Sequence, residues 1–190
     1  MSLVTKVKAA NITNLSDARY CAGMGVDWIG FPVSEINPIR FTEITGWLSG
    51  PQWVIELDKQ PWPAPAEYPI TLWQCSLQDL ELTQQFPGKM MVAMDVQQWE
   101  HAEILHANRH RIEAIVISGY FNNTDVDRNT IAAISKLFPV LIDVSTTPYT
   151  LSEILSWNIT GINVHGTSEQ RPGLKDYAQL ADVLEKLETE

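Results

Sequence analysis

The chain has 190 residues, 45% of them hydrophobic, and a formal net charge of -10. That length supports one domain, residues 1–190, since two halves would each approach the lower limit for a self-sufficient core. With 13 basic residues scattered among 23 acidic ones, nucleic acid and anionic membrane surfaces are excluded as general partners, because both reward clustered Lys and Arg. The N-terminus lacks a charged segment leading into an apolar core and cleavage site, and no apolar run approaches the ~20 residues that cross a bilayer. A cytoplasmic location is therefore expected. Cys21 and Cys75 are too few for a disulfide framework and lack zinc-ribbon spacing, so they read as buried thiols.

Val4 to Ala10 is small and apolar enough for a buried strand, with Asn14 and Ser16 as helix N-caps before Ala18, Cys21 and Met24. Gly23 and Gly25 end that helix, and Val26 to Pro32 is a second strand. A helix over Phe41 to Ser49 and a third strand over Gln52 to Leu57 follow. No convincing helix comes next; instead Gln60 to Pro69 carries Pro61, Pro63, Pro65 and Pro69, which bias the backbone away from helix. This stretch reads as a shortcut across the outside, or as an aromatic lid through Trp62. The remaining strands are Ile70 to Cys75, Lys89 to Asp95, Arg111 to Ser118, Pro139 to Asp143 and Thr160 to Val164. Between and after them the pattern predicts helices over Leu77 to Phe86, Gln97 to His106, Asp125 to Leu137, Thr150 to Trp157 and Leu174 to Leu187. Eight short apolar strands alternating with helices predict a (β/α)8 barrel, with a shortened or missing helix after strand three. The alternative is a doubly wound open sheet, yet GxGxxG is absent after the first strand and GxxxxGK[ST] is absent throughout. No cofactor is expected.

Val7-Lys8, Ile12-Thr13 and Asp17-Ala18, followed by Gly25-Val26-Asp27 and Gly30-Phe31, resemble the opening of phosphoribosylanthranilate isomerase, the tryptophan-biosynthesis barrel. Pro172-Gly173-Leu174-Lys175-Asp176 resembles that family's closing PG[VI]KD segment, and Asn37-Pro38-Ile39-Arg40-Phe41 its SPR segment with one extra residue. The resemblance implies a compact (β/α)8 barrel and an Amadori rearrangement run by a cysteine base and an aspartate acid. On this chain those positions are Ala10 and Ser118, and Asn11 replaces the motif's glycine. Each lost acid or base group costs about 10²- to 10⁴-fold in rate, so a divergent member that isomerises poorly is expected. The family's phosphate-binding turns fall on Leu141 to Thr146 and on Asn163 to Ser168, where Gly166 is kept and the paired glycines after strand seven are not. Ser145 and Thr146 can still cradle an anion, while Asp143 opposes one.

Strand ends converge at one rim of such a barrel, which brings together Asn11, Glu56 or Asp58, Asp95, Ser118, Asp143 and His165. Asp95, Asp143 and His165 are the candidate catalytic residues; Asn11, Arg40, Ser145, Thr146 and Gly166 the candidate substrate-binding ones. The carboxylates and histidine suit divided acid and base roles, a divalent metal, or merely a solvated rim. His101, His106 and His110 read as surface residues, and the tryptophans as filler, with Trp47 and Trp157 candidates for a dimer face. The expected partner is a small molecule, an anion among the possibilities, bound by a monomer or homodimer. Three functions stay open: chemistry on another small molecule, isomerisation with substitute residues, and non-catalytic binding.

Overall fold

The computed structural model describes residues 2–119, 121, 124–166 and 178–189. Eight parallel strands close into a barrel in sequence order: β1 (Lys6–Ala10), β2 (Trp28–Pro32), β3 (Gln52–Glu56), β4 (Leu72–Ser76), β5 (Lys89–Met94), β6 (Ile112–Ile117), β7 (Val140–Asp143) and β8 (Gly161–His165). Five register pairs between β1 and β8 make the closure, from Lys6 opposite Gly161 to Ala10 opposite His165. Gly161 permits it: a β-carbon there would collide with the Lys6 carbonyl. The expected barrel is the fold of this chain.

The outer elements are α1 (Leu15–Gly23), α2 (Pro38–Thr45), α3 (Ala102–Ala107), α4 (Thr124–Ser135), α5 (Leu151–Leu155) and α6 (Ala178–Lys186). Several differ from the sequence reading at their ends. Helix α2 starts at Pro38 rather than Phe41, because the Asn37 side chain caps it and proline suits a first helical position. Leu77–Thr83 and Val96–His101 are 3-10 rather than α-helical. Strand β4 begins at Leu72 rather than Ile70, and residues 174–177 of the expected last helix lie outside the described residues.

After β3 the chain forms only a 3-10 turn, Pro65–Glu67. Aromatic rings take the place of the missing helix. Phe31, Phe41, Tyr68, Trp73 and Phe86 meet edge to face in succession, with centroids 4.9 to 6.2 Å apart, and Trp62 joins at Phe86. Tyr68 donates its hydroxyl to the Ile36 carbonyl at 2.7 Å, tying the segment to the end of β2. The proline-rich stretch is thus a packed shortcut, and Trp62 does not line the rim cavity. Trp157 is buried, whereas Trp47 stands 79% exposed on the outside.

Strand alternation sorts the side chains into two cores. One lies between strands and helices; the other, including Trp28, Val54, Leu72, Met91, Ala114 and Leu141, fills the barrel interior toward the N-terminal ends of the strands. Two residues further along several strands, the same face turns polar, as Glu56 follows Val54, Gln74 follows Leu72 and Asp143 follows Leu141, while Gly30 after Trp28 leaves space there. Among the described residues no helix is long and apolar enough to cross a membrane.

Candidate active site at the barrel mouth

The C-terminal ends of the strands enclose a cavity of about 440 Å³, walled in part by Ala10, Glu56, Ser118, Asp143, Asn163 and His165. Beneath it lies an ion pair. Lys8 is fully buried on β1 and directs its ammonium at Glu56 and, at 3.3 Å, at Oδ1 of Asn163. A buried lysine is tolerated where a carboxylate and a further acceptor replace its water. Gly30 makes the room, since a β-carbon there would collide with the Glu56 carboxylate and stand 2.8 Å from Lys8 Nζ. The second Glu56 oxygen accepts the Asn11 backbone N–H at 2.9 Å, securing Asn11 at φ 55°, a left-handed conformation that asparagine tolerates better than most residues.

Asp143 is the most heavily bonded carboxylate of the mouth. Its Oδ2 lies 2.6 Å from His165 Nε2 and accepts from Asn163 Nδ2 at 3.1 Å. Its Oδ1 accepts the Ser145 backbone N–H at 2.9 Å and the Ser145 hydroxyl at 2.6 Å. Four donors fill the acceptor positions of a carboxylate. Burial pushes the Asp143 carboxyl up, but His165 and Ser145 outweigh that and hold it below the usual carboxylate range. Two acceptors cannot sit 2.6 Å apart without a proton, so Nε2 carries one and Nδ1 is left as the acceptor of the neutral ring. The His165 side chain is 40% exposed at the rim.

The opposite wall is acidic too. Asp58 accepts from the Ser34 hydroxyl and backbone N–H, and Asp79 is held by Ser76 at 2.7 Å and Gln60 at 3.2 Å. Among the described residues no lysine or arginine lines the cavity. Cys75 reaches the wall, but burial, with Asp79 beside it, pushes its thiol up to about 12, so it is no nucleophile at neutral pH. Among the described residues no three His, Cys, Asp or Glu side chains converge to hold a metal ion, so the divalent-metal alternative has no ligand set there.

Of the residues picked out in the sequence, Asn11, Asp143 and His165 line this cavity, with Ala10 and Ser118 beside them. Asp95 does not; its carboxylate lies against Gly119 at the end of β6. Ser145 and Thr146 wall a neighbouring hollow, where the Thr146 hydroxyl accepts the Gly119 N–H at 3.0 Å. Gly166 is buried and gives its N–H to the Ala10 carbonyl at 2.8 Å. Arg40 pairs with Glu43 at 3.3 Å on an exposed face of α2, away from the cavity. His101, His106 and His110 are exposed on the outside. Sequence reasoning missed the roles of Lys8 and Asn163. The available signal was a charged residue inside the otherwise buried run Val7 to Ala10, which a barrel strand accepts only opposite a partner.

No family model matches the sequence, and no curated protein sequence does. Solved structures do match. A phosphoribosylanthranilate isomerase from Thermus thermophilus superimposes with a TM-score of 0.69 over 96% of this chain and 98% of its own, at 18% identity. The fold is that of phosphoribosylanthranilate isomerase. A monomeric form of the dimeric phosphoribosylanthranilate isomerase of Thermotoga maritima gives a TM-score of 0.65 at 20% identity, covering 91% of this chain and 93% of that one. The likeness extends to other chemistry: a truncated 3-deoxy-D-arabino-heptulosonate 7-phosphate synthase from Thermotoga maritima reaches a TM-score of 0.69 at 14% identity, over 96% and 84% of the two chains. At these identities the phosphoribosylanthranilate isomerase likeness is one of architecture.

Proposed function

We propose that this isomerase-like barrel, a single domain over residues 1–190, does not efficiently isomerise phosphoribosylanthranilate and acts on another small molecule at its C-terminal mouth. His165 is the proton-transfer group in this reading and Asp143 its ionised anchor. The observation that carries it is the half-exposed His165 ring 2.6 Å from a fully hydrogen-bonded Asp143, in a mouth where Ala10 and Ser118 offer no acid or base. An imidazole held at Nε2 presents Nδ1 to a ligand, and such a general base is worth about 10²- to 10⁴-fold. Asp143 itself, with every acceptor position filled, has no site left for a travelling proton.

The mouth also bears on what it takes. Asp58, Asp79 and Asp143 oppose a phosphate, each such like-charge contact costing about 1 kcal/mol in water-like and about 4 kcal/mol in partly screened surroundings at ~4 Å, while Glu56 is offset by Lys8. The Gly166 N–H is already spent on Ala10. A neutral or cationic polar molecule fits better, with the Asn11 amide at the rim for recognition. A cytoplasmic monomer or homodimer completes the reading. The test is expression in a tryptophan auxotroph that lacks the isomerase. Growth stays at the auxotroph level if the reading holds, and normal growth would overturn it.

A further inference from the structure

The fully buried Lys8 touches neither His165 nor the cavity, yet hydrogen bonds run from one to the other through Asn163. We propose that Lys8 is a positioning residue, which selects the orientation of the Asn163 amide and through it the tautomer and basicity of His165. The proposal rests on the reading of His165 as the proton-transfer group.

The argument turns on the Asn163 side chain, whose two ends have the same shape and opposite hydrogen-bonding sense. An ammonium donates and never accepts, so the end that faces Lys8 at 3.3 Å is Oδ1. That choice directs Nδ2 at Asp143 Oδ2, 3.1 Å away. Turned the other way, Asn163 would set Nδ2 against the Lys8 ammonium and Oδ1 against the Asp143 carboxylate, two repulsions at once. In the observed sense Nδ2 also stands 3.2 Å from His165 Nε2, and the two donors share Asp143 Oδ2. The donated proton from Asn163 spreads part of the Asp143 charge, which limits how strongly that carboxylate favours the imidazolium over the neutral ring. Because Glu56 neutralises Lys8, the effect reaches the rim through orientation rather than through a net field.

Several charged groups surround the ring. Asp143 faces it from β7, Asp182 and Lys186 share a crevice with it on the α6 side, and Glu56, Asp58 and Asp79 line the mouth. All but Glu56 stay unaltered in the variants below and cancel in the comparison.

The test is NMR titration of the His165 ring in the full chain without added ligand, with the resonance assigned by His165→Gln. Wild-type protein at high pH should show the neutral ring protonated at Nε2 in its ¹⁵N shifts; protonation at Nδ1 would overturn the proposal, even if no variant folds. Asn163→Leu removes the donor to Asp143 and leaves the ion pair in place, and should raise the His165 midpoint by about half a pH unit or more. Lys8→Met combined with Glu56→Gln keeps the floor neutral and removes one of the two repulsions, leaving the amide held by Asp143 alone, and should raise it in the same direction by less than Asn163→Leu does. Joining all three substitutions should add nothing beyond Asn163→Leu. A midpoint unmoved by the floor variant, or a shift that adds in full to that of Asn163→Leu, would overturn the proposal. None of these readings needs turnover, so their failure is distinct from failure of the functional reading, which the auxotroph reports.

Discussion

At the scale of single residues, the mouth is governed by which hydrogen-bond positions are already taken. Asp143 and Asp95 both close strands in the sequence and read there as equivalent candidates, but one ends saturated beside His165 and the other lies against Gly119. Spacing along the chain cannot separate them, because the difference lies in partners from other strands. The folded-state pKa of Asp143 lies below its unfolded value, so its contribution to stability is present above the ordinary aspartate range, near pH 4, and is lost as pH falls through the folded value. Asp143→Asn should therefore lower stability by about 2 kcal/mol at pH 7, the worth of hydrogen bonds to a buried charge. Urea midpoints of the two proteins should converge below pH 4, and a constant gap down to pH 2.5 would contradict this.

At the scale of elements, the strand pattern was legible because strands such as β2, β6 and β7 are buried on both faces and read as largely apolar runs. Helix ends were less so. Caps such as Asn37 and Thr150 decide them, and 3-10 turns such as Leu77–Thr83 share the composition of α-helices. The gap after β3 was visible in its prolines, whereas the ring sequence that fills it depends on residues from Phe31 to Phe86 that meet only in the folded chain. Tyr68 is the pin of that segment. Tyr68→Phe keeps the ring contacts and leaves the buried Ile36 carbonyl without its donor, which should cost about 1 kcal/mol in thermal or urea unfolding. No change at all would mean that stacking alone holds the segment.

At the scale of the whole molecule, barrel order and the two ends of the chain supplied the resemblance, and the proposed loss of isomerase chemistry rests on Ala10 and Ser118, which stand where the resemblance implies a base and an acid. What the chain order concealed is the polar half of the interior, since Lys8, Gly30, Glu56 and Asn163 come from four strands and share no motif. Restoring the family's acid and base by Ala10→Cys with Ser118→Asp should leave phosphoribosylanthranilate isomerisation undetected by fluorescence assay. The carboxylates of Asp58, Asp79 and Asp143 and the engaged Gly166 N–H remain in that variant. Recovery of turnover would show instead that the two lost side chains were the whole deficit.

The apolar half of the barrel interior has its own consequence. Trp28, Leu72 and Leu141 close the N-terminal end beneath the Lys8–Glu56 pair, so the described barrel is a vessel with one opening. Lys8 itself is fully buried and lies outside the cavity lining, so exchange of its ammonium hydrogens with bulk water has to come by opening on the rim side. Whatever molecule settles at the rim therefore acts as a stopper, and slower deuterium uptake at Lys8 would register its arrival without any knowledge of the reaction.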